Sequence, residues 1–194
     1  MNYFTADSHF SYNDESVLSR DYRPFKSLQE MNKKIIDIWN SQAGEDDVIY
    51  HLGDFVNYNY LDISGFEERL GFVKKIKAKV VLILGNNEKR IMRNDFGGNF
   101  EKFRQYLLGF GFFEVYETYY KVKIGENEYL LTHEPKDCDK SNIYNLFAHI
   151  HKNVFIKKYG INVGVDNHYF KLFSEKDILD IQNNRSRLDE NVFD

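Results

Sequence analysis

Residues 48–54 read Val48-Ile49-Tyr50-His51-Leu52-Gly53-Asp54, a short apolar run that ends on a carboxylate. Short runs rich in β-branched and aromatic residues are typical of buried strands. In open sheets, ligands gather in the crevice beyond the strand ends, where the chain turns. We therefore expect Asp54 at the edge of a buried sheet, in a position where it can bind a ligand.

The same arrangement recurs four times elsewhere in the chain. Apolar runs also lead into Asp7 and His9, into Asn86, into His133, and into His149 and His151. Within each of the two pairs the residues are two positions apart, so both side chains can face one small volume, on a strand or in a turn. Five strand ends that carry metal-binding side chains predict one site built from distant parts of the chain.

Apolar residues at helical spacing separate the first three strands. Strand and helix alternate in this way up to Leu84, which implies parallel strands joined by crossover helices. Ser27 suits the N-cap of the first of these helices. The predicted helices of this half lie at 27–39, 64–77, 89–92 and 100–108.

The second half of the chain has the pattern of further strands. The sequence predicts a hairpin, three more strands and a closing helix capped by Ser174, at 119–132, 145–149, 154–159, 161–165 and 174–181. The fold class is therefore expected to be α/β (α+β), with two packed mixed sheets covered by helices. We expect a single domain over 1–183 and a polar C-terminal tail over 184–194.

Composition places the chain among ordinary globular proteins. With 194 residues, of which 42% are hydrophobic and 29% charged, it is long enough for one proper core. The net charge of −4 argues against a broad basic surface for nucleic acid, although it leaves room for a local basic groove. The single cysteine, Cys138, cannot form an intramolecular disulfide.

Two further features concern location. No apolar run approaches the roughly 20 residues that a membrane-spanning helix needs. The N-terminus opens directly into a strand, without the regions of a signal peptide. We therefore expect a cytoplasmic protein that has no membrane partner.

The candidate ligands are carboxylate, amide and imidazole groups: Asp7, His9, Asp54, Asn86, His133, His149 and His151. Such a mixed set suits Mn²⁺, Fe, Zn²⁺ or Ni²⁺, whereas Mg²⁺ and Ca²⁺ sites use oxygen almost alone. Seven ligands exceed the need of one ion but suit two ions that share a carboxylate. We expect Mn²⁺, with Fe, Zn²⁺, Ni²⁺ or Mg²⁺ as alternatives. Paired ions roughly 3.5–4 Å apart serve phosphoester hydrolysis.

In their order along the chain, these motifs resemble those of a known family. Asp7-Ser8-His9, Gly53-Asp54, Gly85-Asn86-Asn87-Glu88, His133 and His149-Ile150-His151 are similar to the motifs of the calcineurin-like metallophosphoesterase superfamily. Arg23-Pro24-Phe25-Lys26 and Asn162-Val163-Gly164-Val165-Asp166 resemble its small single-domain bacterial and phage-type members. The resemblance spans residues 2–166 and implies a β-sandwich of two mixed sheets flanked by helices.

The resemblance also implies a ligand scheme and a reaction. One ion would be held by Asp7, His9, Asp54 and His151, and a second by Asp54, Asn86, His133 and His149. A hydroxide that bridges the two ions would attack phosphorus in line. The implied function is a binuclear metal-dependent phosphoester hydrolase, most of all a phosphodiesterase, that acts on a small-molecule phosphoester or a nucleotide.

The chain departs from the family pattern at three positions. Asn87 stands where the family has a histidine, and an amide has no proton to give near neutral pH. We therefore expect Asn87 to remain a catalytic and substrate-binding residue but to shift the preference away from monoesters with poor leaving groups. Ala148 replaces a glycine, which is tolerable at negative φ, and Asn57 replaces an aspartate behind the ligands.

Four polar residues outside the ligand set each allow two interpretations. Arg23 either clamps a phosphate or pairs with a surface carboxylate. His168 either replaces the missing proton donor or is an exposed loop histidine. Lys89 and Arg90 could meet an anionic substrate, although such residues at a helix start are usually solvated.

Two more residues have one expected role each, and two other functions remain open. His51 is expected to be a satisfied core histidine, and Glu88 to orient its neighbours. A non-catalytic binding module, of which the family includes a retromer subunit, is favoured by Asn87 but opposed by the complete ligand set. A single-strand nuclease would need a basic groove lined by aromatic residues.

Overall fold

The computed structural model describes residues 1–11, 14–20, 22–58 and 63–185. Its strands are β1 Asn2–Thr5, β2 Val48–His51, β3 Lys79–Ile83, β4 Glu114–Tyr116, β5 Tyr119–Ile124, β6 Asn127–Thr132, β7 Asn145–Phe147, β8 Ile156–Lys157, β9 Gly160–Asn162 and β10 Phe173–Ser174. Its α-helices are α1 Ser16–Arg20, α2 Leu28–Gln42, α3 Ile63–Leu70, α4 Asn86–Asp95, α5 Phe100–Phe110 and α6 Glu175–Asn184.

The first sheet has the strand order β10-β1-β2-β3-β4. Strands β1 to β4 run parallel and β10 is antiparallel to β1, so the predicted parallel arrangement of the first three strands is confirmed. Thr5 lies opposite His51, and His51 lies opposite Leu82. The three strands therefore end at one edge, where their following loops meet.

The second sheet has the order β5-β6-β7-β9-β8. Strands β6, β7 and β9 are parallel, while β5 and β8 are antiparallel to their neighbours, and β5 and β6 form the predicted hairpin. A bridge between Ala6 and Gly164 joins the ends of the two sheets. The predicted fold class, two mixed sheets flanked by helices, is confirmed.

Two apolar clusters hold these layers together. One lies between the first sheet and its helices and includes Phe10 and Trp39, and the other lies between the two sheets and includes Phe4 and Leu131. The first sheet is therefore buried on both faces. This burial explains why its strands are continuous apolar runs rather than alternating ones.

Several predicted elements differ in extent from the observed ones, among them the helix at 89–92, observed as Asn86–Asp95, and the strands at 145–149 and 161–165, which end at Phe147 and Asn162. The expected strand at 154–159 is reduced to β8, because the side-chain amide of Asn162 donates to the carbonyl of Val154 (2.8 Å) and removes that group from strand pairing. The expected helix at 64–77 continues beyond α3 only as a 3₁₀ segment, Gly71–Lys75. The N-caps predicted at Ser27 and Ser174 are both observed.

Two further predictions concern the C-terminal tail and the membrane. Residues 186–194, most of the predicted tail, lie outside the described residues, and the domain limits stay a prediction. Among the described helices, none is both long and apolar enough to span a lipid bilayer. The cytoplasmic location stays a prediction.

Candidate metal centre

The loops that follow the strands have an unusual backbone. Positive φ is found at five of the predicted ligands: Asp7 (56°), His9 (48°), Asp54 (53°), His149 (74°) and His151 (48°). For residues other than glycine this left-handed region is sparsely populated and costs about 1–3 kcal/mol each. The surrounding structure therefore holds these side chains against their local preference, which is typical of functional sites.

The loops after β1 and β2 are fastened to each other through their backbones. The N–H of Asp7 donates to the carbonyl of Gly53, and the N–H of His9 donates to the carbonyl of Asp54, both at 3.0 Å. Gly53 has φ of 92°, and a Cβ there would lie 2.4 Å from the nitrogen of Gly85. Glycine at these positions lets the loops after β2 and β3 approach each other closely.

The side chain of Glu88 connects the loops after β2 and β3. Its carboxylate, fully buried, accepts from the backbone N–H groups of Asp54, Phe55 and Gly85, each at 2.9 Å. Burial and the neighbouring Asp54 carboxylate raise the pKa of Glu88 to about 7. As predicted, Glu88 orients its neighbours, and it does so through their backbones.

The structure brings three of the predicted ligands, Asp7, His9 and His151, into a first group. One ligand atom from each of them lies within 4.8 Å of the others. The rings of His9 and His151 stack with their centroids 5.1 Å apart. Asp7 is buried, which raises the pKa of its carboxyl to about 6, and it accepts the backbone N–H of His149 at 3.0 Å.

Asp54, His133 and His149 form a second group with the same spacing of ligand atoms. Nε2 of His133 lies 3.2 Å from Nδ1 of His149 and 3.1 Å from Oδ1 of Asn86. The opposite ring nitrogen of His133 donates to the carbonyl of Leu52 (2.7 Å). Burial lowers the pKa of His133, so its ring is neutral and the lone pair of Nε2 faces the group.

This set of donors fits a cation. The side-chain nitrogen of Asn86 donates to Oδ1 of Asn87 (3.2 Å), so the Asn86 oxygen that faces His133 is an acceptor. Two acceptor atoms therefore approach within 3.1 Å of each other with no proton between them. A divalent ion satisfies such an arrangement, because both lone pairs can bind it.

Asp54 lies between the two groups. Its Oδ2 is 3.7 Å from Nε2 of His9, and its Oδ1 is 3.6 Å from Nε2 of His133. Oδ1 also accepts the backbone N–H of Asn87 at 3.0 Å, which fixes the carboxylate plane. This placement would let one carboxylate serve an ion at either group. All seven predicted ligands thus converge, and their metal-binding role stays a prediction.

Three residues that support the site were not assigned roles from the sequence. Asp166 accepts from Nδ1 of His151 at 2.9 Å, which leaves the other ring nitrogen for the first group. The side-chain amides of Asn162 and Asn167 donate to the carbonyl of His151 at 2.8 and 3.0 Å. The sequence indicates these residues only through their position in or beside the 162–166 motif, which begins at the last residue of β9.

The prediction of a phosphate clamp at Arg23 is wrong. Its side chain is buried, pairs with Asp166 and donates to the carbonyls of Asp7 and Ser8. The guanidinium therefore lies behind the loop of the first group with its donors occupied. The alternative interpretation, an ion pair with a carboxylate, is the observed one, although that carboxylate is buried rather than at the surface.

Asn87 also faces inward. Its side-chain nitrogen lies 2.9 Å from the carbonyl of Val56 and 3.3 Å from Nδ1 of His9. Its predicted contact with substrate stays a prediction. Ala148 has no positive φ, which agrees with the expectation that its methyl group is tolerated. Asn57 is buried behind the site, where its amide donates to Asp14 (2.5 Å).

His168 lies against β10 and is half-buried, where its ring stacks on Phe173 with the centroids 4.2 Å apart. Its predicted role as a proton donor stays a prediction. His51 is a core residue, as expected, and its Nε2 bonds the hydroxyl of Ser8 (3.0 Å). Its Nδ1, however, has no hydrogen-bond partner among the described residues, so it is only half satisfied.

The two cationic residues near the start of α4, Lys89 and Arg90, differ in their surroundings. Arg90 packs its guanidinium over the ring of Tyr58, 4.6 Å from the centroid. Lys89 is half-buried, and its positive charge helps to lower the pKa of His133. Within the described part of the chain, the Lys89 ammonium has neither an ion pair nor a hydrogen bond. Lys89 is therefore the cation that remains available beside the second group.

Comparison with known proteins agrees with this geometry. The family model of the calcineurin-like phosphoesterases matches residues 3–190. The chain belongs to this family. The family assignment makes it a metallophosphoesterase, and members of the family typically bind two divalent metal ions. The two His/Asp groups described above are the candidate positions for such ions.

Three individual relatives are also similar. The chain is 30% identical over 87 residues to an uncharacterized protein of Methanocaldococcus jannaschii, in 45% of this chain and 46% of that one. The match thus spans less than half the length of this relative. A protein of unknown function from Aquifex aeolicus shares the fold, with a TM-score of 0.66, 23% identity and coverage of 93% and 98%. A novel archaeal phosphodiesterase has a TM-score of 0.44, 18% identity and coverage of 84% and 81%. A similarity at this level supports no conclusion about activity.

Proposed function

We propose that the chain is a binuclear metal-dependent phosphoester hydrolase and that its substrates are phosphodiesters. The observation that carries this proposal is the position of Asp54 between the two groups, with one oxygen 3.7 Å from His9 and the other 3.6 Å from His133. A single carboxylate placed in this way can neutralise two adjacent cations. A mononuclear site would have no use for the second group.

The side chains of the site are suited to hold two ions. Divalent ions, when bound, would lower the pKa of water and neutralise charge that develops on the phosphoryl oxygens. Burial lowers the pKa values of His133 and His149, so both rings are neutral and ready to bind through a lone pair. Asp7 and Asp54 supply negative charge that is largely withdrawn from water. Mn²⁺ remains the ion expected for this donor set.

Asn87 supports a preference for diesters. Its amide is committed to Val56 and His9, and an amide cannot protonate a departing oxygen. Without an acid at this position, the reaction favours a leaving group that departs as an anion or is protonated by water. A cyclic nucleotide or another small phosphodiester therefore fits the site better than an alkyl phosphomonoester.

The test compares activated substrates on protein stripped of metal and reloaded with one metal at a time. With Mn²⁺ we expect hydrolysis of bis(p-nitrophenyl) phosphate to exceed that of p-nitrophenyl phosphate. Asp54→Asn should lower diester turnover by about 100-fold or more, because it removes the shared charge, while the fold survives. Parental turnover by this variant would refute the assignment.

A matched control is available on the surface. Asp37 is an exposed carboxylate on α2 that pairs with Lys33. Asp37→Asn makes the same chemical change far from the candidate centre and should leave diester turnover unchanged. A loss of activity in this control would show that the assay reports general damage rather than the role of Asp54.

One observation favours a second function, a non-catalytic module that binds metal. The residue at the position of the usual histidine, Asn87, serves the backbone and His9 rather than an open face of the site. Such a module would bind two ions per chain yet hydrolyse none of the activated diesters or monoesters with any metal. Turnover with either substrate that depends on Asp54 excludes it.

A further inference from the structure

We propose that the buried Arg23–Asp166 ion pair is the positioning device of the first group, so that Asp7, His9 and His151 can hold an ion only while the pair is intact. The inference rests on the proposed function, because it assumes that the two groups are metal sites. It assigns to Arg23 and Asp166 a role in selective metal binding at one of two adjacent positions.

The guanidinium of Arg23 makes contacts with all five of its N–H donors. Nε and Nη2 bind the two oxygens of Asp166, each at 3.1 Å. Nη2 also donates to the carbonyl of Asp7 (2.6 Å), and Nη1 donates to the carbonyl of Ser8 (2.8 Å) and to the sulfur of Met31 (3.5 Å). Two of these acceptors belong to the loop that carries two ligands of the first group.

Asp166 connects the same guanidinium to the remaining ligand. Its Oδ2 accepts from Nδ1 of His151 at 2.9 Å while it also binds Arg23. The position of the third ligand and the backbone of the first two are thus tied to one ion pair. A carboxylate on the rear nitrogen of a metal-binding imidazole fixes the tautomer and raises the basicity of the ring.

The segment of Asp166 is packed directly against the loop of Asp7. The N–H of Val165 donates to the carbonyl of Ala6 (3.0 Å). A Cβ at Gly164 would lie only 2.8 Å from Oδ2 of Asp7. A side chain at position 164 would clash with Asp7, so glycine allows this close approach and the ion pair acts on loops that are already in contact.

Both partners of the ion pair are buried, so removal of either one should disturb the other. Both side chains have 0% of their surface exposed. The carboxylate of Asp166 is held from two sides, by Arg23 at 3.1 Å and by His151 at 2.9 Å. Removal of one partner would leave the other as an uncompensated buried charge.

The second group is oriented mainly by other residues, apart from the hydrogen bonds that the N–H of His149 and the carbonyl of Asp54 make to Asp7 and His9, both at 3.0 Å. His133 is held by the carbonyl of Leu52 at 2.7 Å, and the Asp54 and Gly85 backbones are held by Glu88 at 2.9 Å. The Arg23 guanidinium contacts the loop of the first group, Asp166 and Met31. Loss of the ion pair should therefore weaken one metal position and spare the other.

The experiment measures metal binding rather than activity. Apo protein is titrated with Mn²⁺ by equilibrium dialysis, and the bound ions are examined by electron paramagnetic resonance. We expect two ions per wild-type chain, with the signal of a coupled pair. Asp166→Asn, which keeps an acceptor for His151 but loses the charge, should bind one ion with unchanged affinity and the second about 10–100-fold more weakly, with an uncoupled signal.

Arg23→Lys provides a second variant, since it keeps a charge beside Asp166 but cannot reach all the acceptors of the guanidinium. The same selective loss is expected, and this variant carries the test if Asp166→Asn does not fold. Arg104→Gln, which breaks an ion pair with Glu114 on α5 and β4, is the control and should bind two ions as the wild type does.

The outcomes separate the two proposals. Two ions bound at parental affinity in folded Asp166→Asn or Arg23→Lys would overturn the inference, and so would equal weakening of both ions. A wild type that binds fewer than two ions would instead refute the binuclear function itself. Circular dichroism of each variant confirms the folded state in which the titration is made.

Discussion

The side-chain nitrogen of Asn87 lies 3.3 Å from Nδ1 of His9. The residue that replaces the usual histidine of the family thus contacts a candidate metal ligand. A substitution at position 87 can therefore act in two ways. It can supply a new proton donor, or it can disturb His9, and the two effects have different kinetic signatures.

If the missing proton donor sets the substrate preference, Asn87→His should raise monoester turnover relative to diester turnover. The new imidazole can protonate a departing oxygen, which matters most for poor leaving groups. The ratio of the two kcat/KM values with Mn²⁺ checks this expectation. Asn87→Ala is the companion variant and should lower both activities together, since it adds no proton donor and removes the contacts to Val56, His9 and Asn86. An unchanged ratio in Asn87→His would contradict our account of this departure.

Lys89 should influence substrate affinity. Its ammonium lies close enough to the second group to lower the pKa of His133 and is not paired with an acid among the described residues. Lys89→Gln is expected to raise KM for an anionic diester about 3- to 10-fold, with a smaller effect at high salt because exposed charges are screened. Initial rates at two ionic strengths measure this.

Arg90→Gln serves as the control for Lys89, because Arg90 is committed to the ring of Tyr58. It removes the same charge one residue further along α4 and should leave KM within about twofold. Equal effects of the two variants would mean that the general field of the helix, rather than the position of Lys89, attracts the substrate.

Gly53→Ala should destabilise the protein severely. The residue has φ of 92°, and a Cβ would lie 2.4 Å from the nitrogen of Gly85 and 2.8 Å from Nδ1 of His133. We expect a loss of at least about 3 kcal/mol in the free energy of unfolding, from backbone strain and overpacking together. Urea denaturation of the metal-free protein measures it.

Gly97→Ala separates the two contributions. Gly97 also has positive φ (60°), but nothing lies within 4 Å of the position of a Cβ. Its cost should be only about 1–2 kcal/mol, the penalty of the left-handed backbone. If Gly53→Ala were no worse than Gly97→Ala, the close approach of the loops after β2 and β3 would not be a constraint on this fold.

His51 should make the stability depend on acid. Burial lowers its pKa from 6.5 to about 3, with a smaller contribution from His133, so the folded protein keeps the ring neutral where the unfolded chain protonates it. Stability is therefore fully present above about pH 6.5 and is lost as the pH falls towards 3, by several kcal/mol. Unfolding free energies of wild type and His51→Leu between pH 4 and 7 test this. Their difference should shrink or reverse on acidification, and a constant difference would contradict the assignment.

The ligand set could be predicted because each member follows an apolar run directly. Asp54 and His133 lie at strand ends, and parallel strands bring their ends to one edge. The parallel arrangement itself followed from the alternation of strands and helices. The order of the elements and the residues that follow each strand can be read locally from the sequence. They were sufficient to predict that the candidate ligands converge.

The supporting contacts could not be predicted in the same way. Arg23 meets Asp166 across 143 positions of the chain, and no local pattern indicates such a partner. A sequence also cannot show which way a side chain points, so the contact of Asn87 with His9 was not predicted, and its contact with substrate stays a prediction. The strand predicted at 154–159 is too long because the side-chain amide of Asn162, only eight positions further on, occupies its first carbonyl.

The bridge between Ala6 and Gly164 has a consequence for biosynthesis. Asp7 and His9 are translated well before Gly164 and Asp166, which pack against their loop and position His151. A nascent polypeptide that stops short of Gly164 lacks both that packing and the partner of Arg23. The first group of candidate ligands can therefore assemble only after the ribosome has passed Asp166.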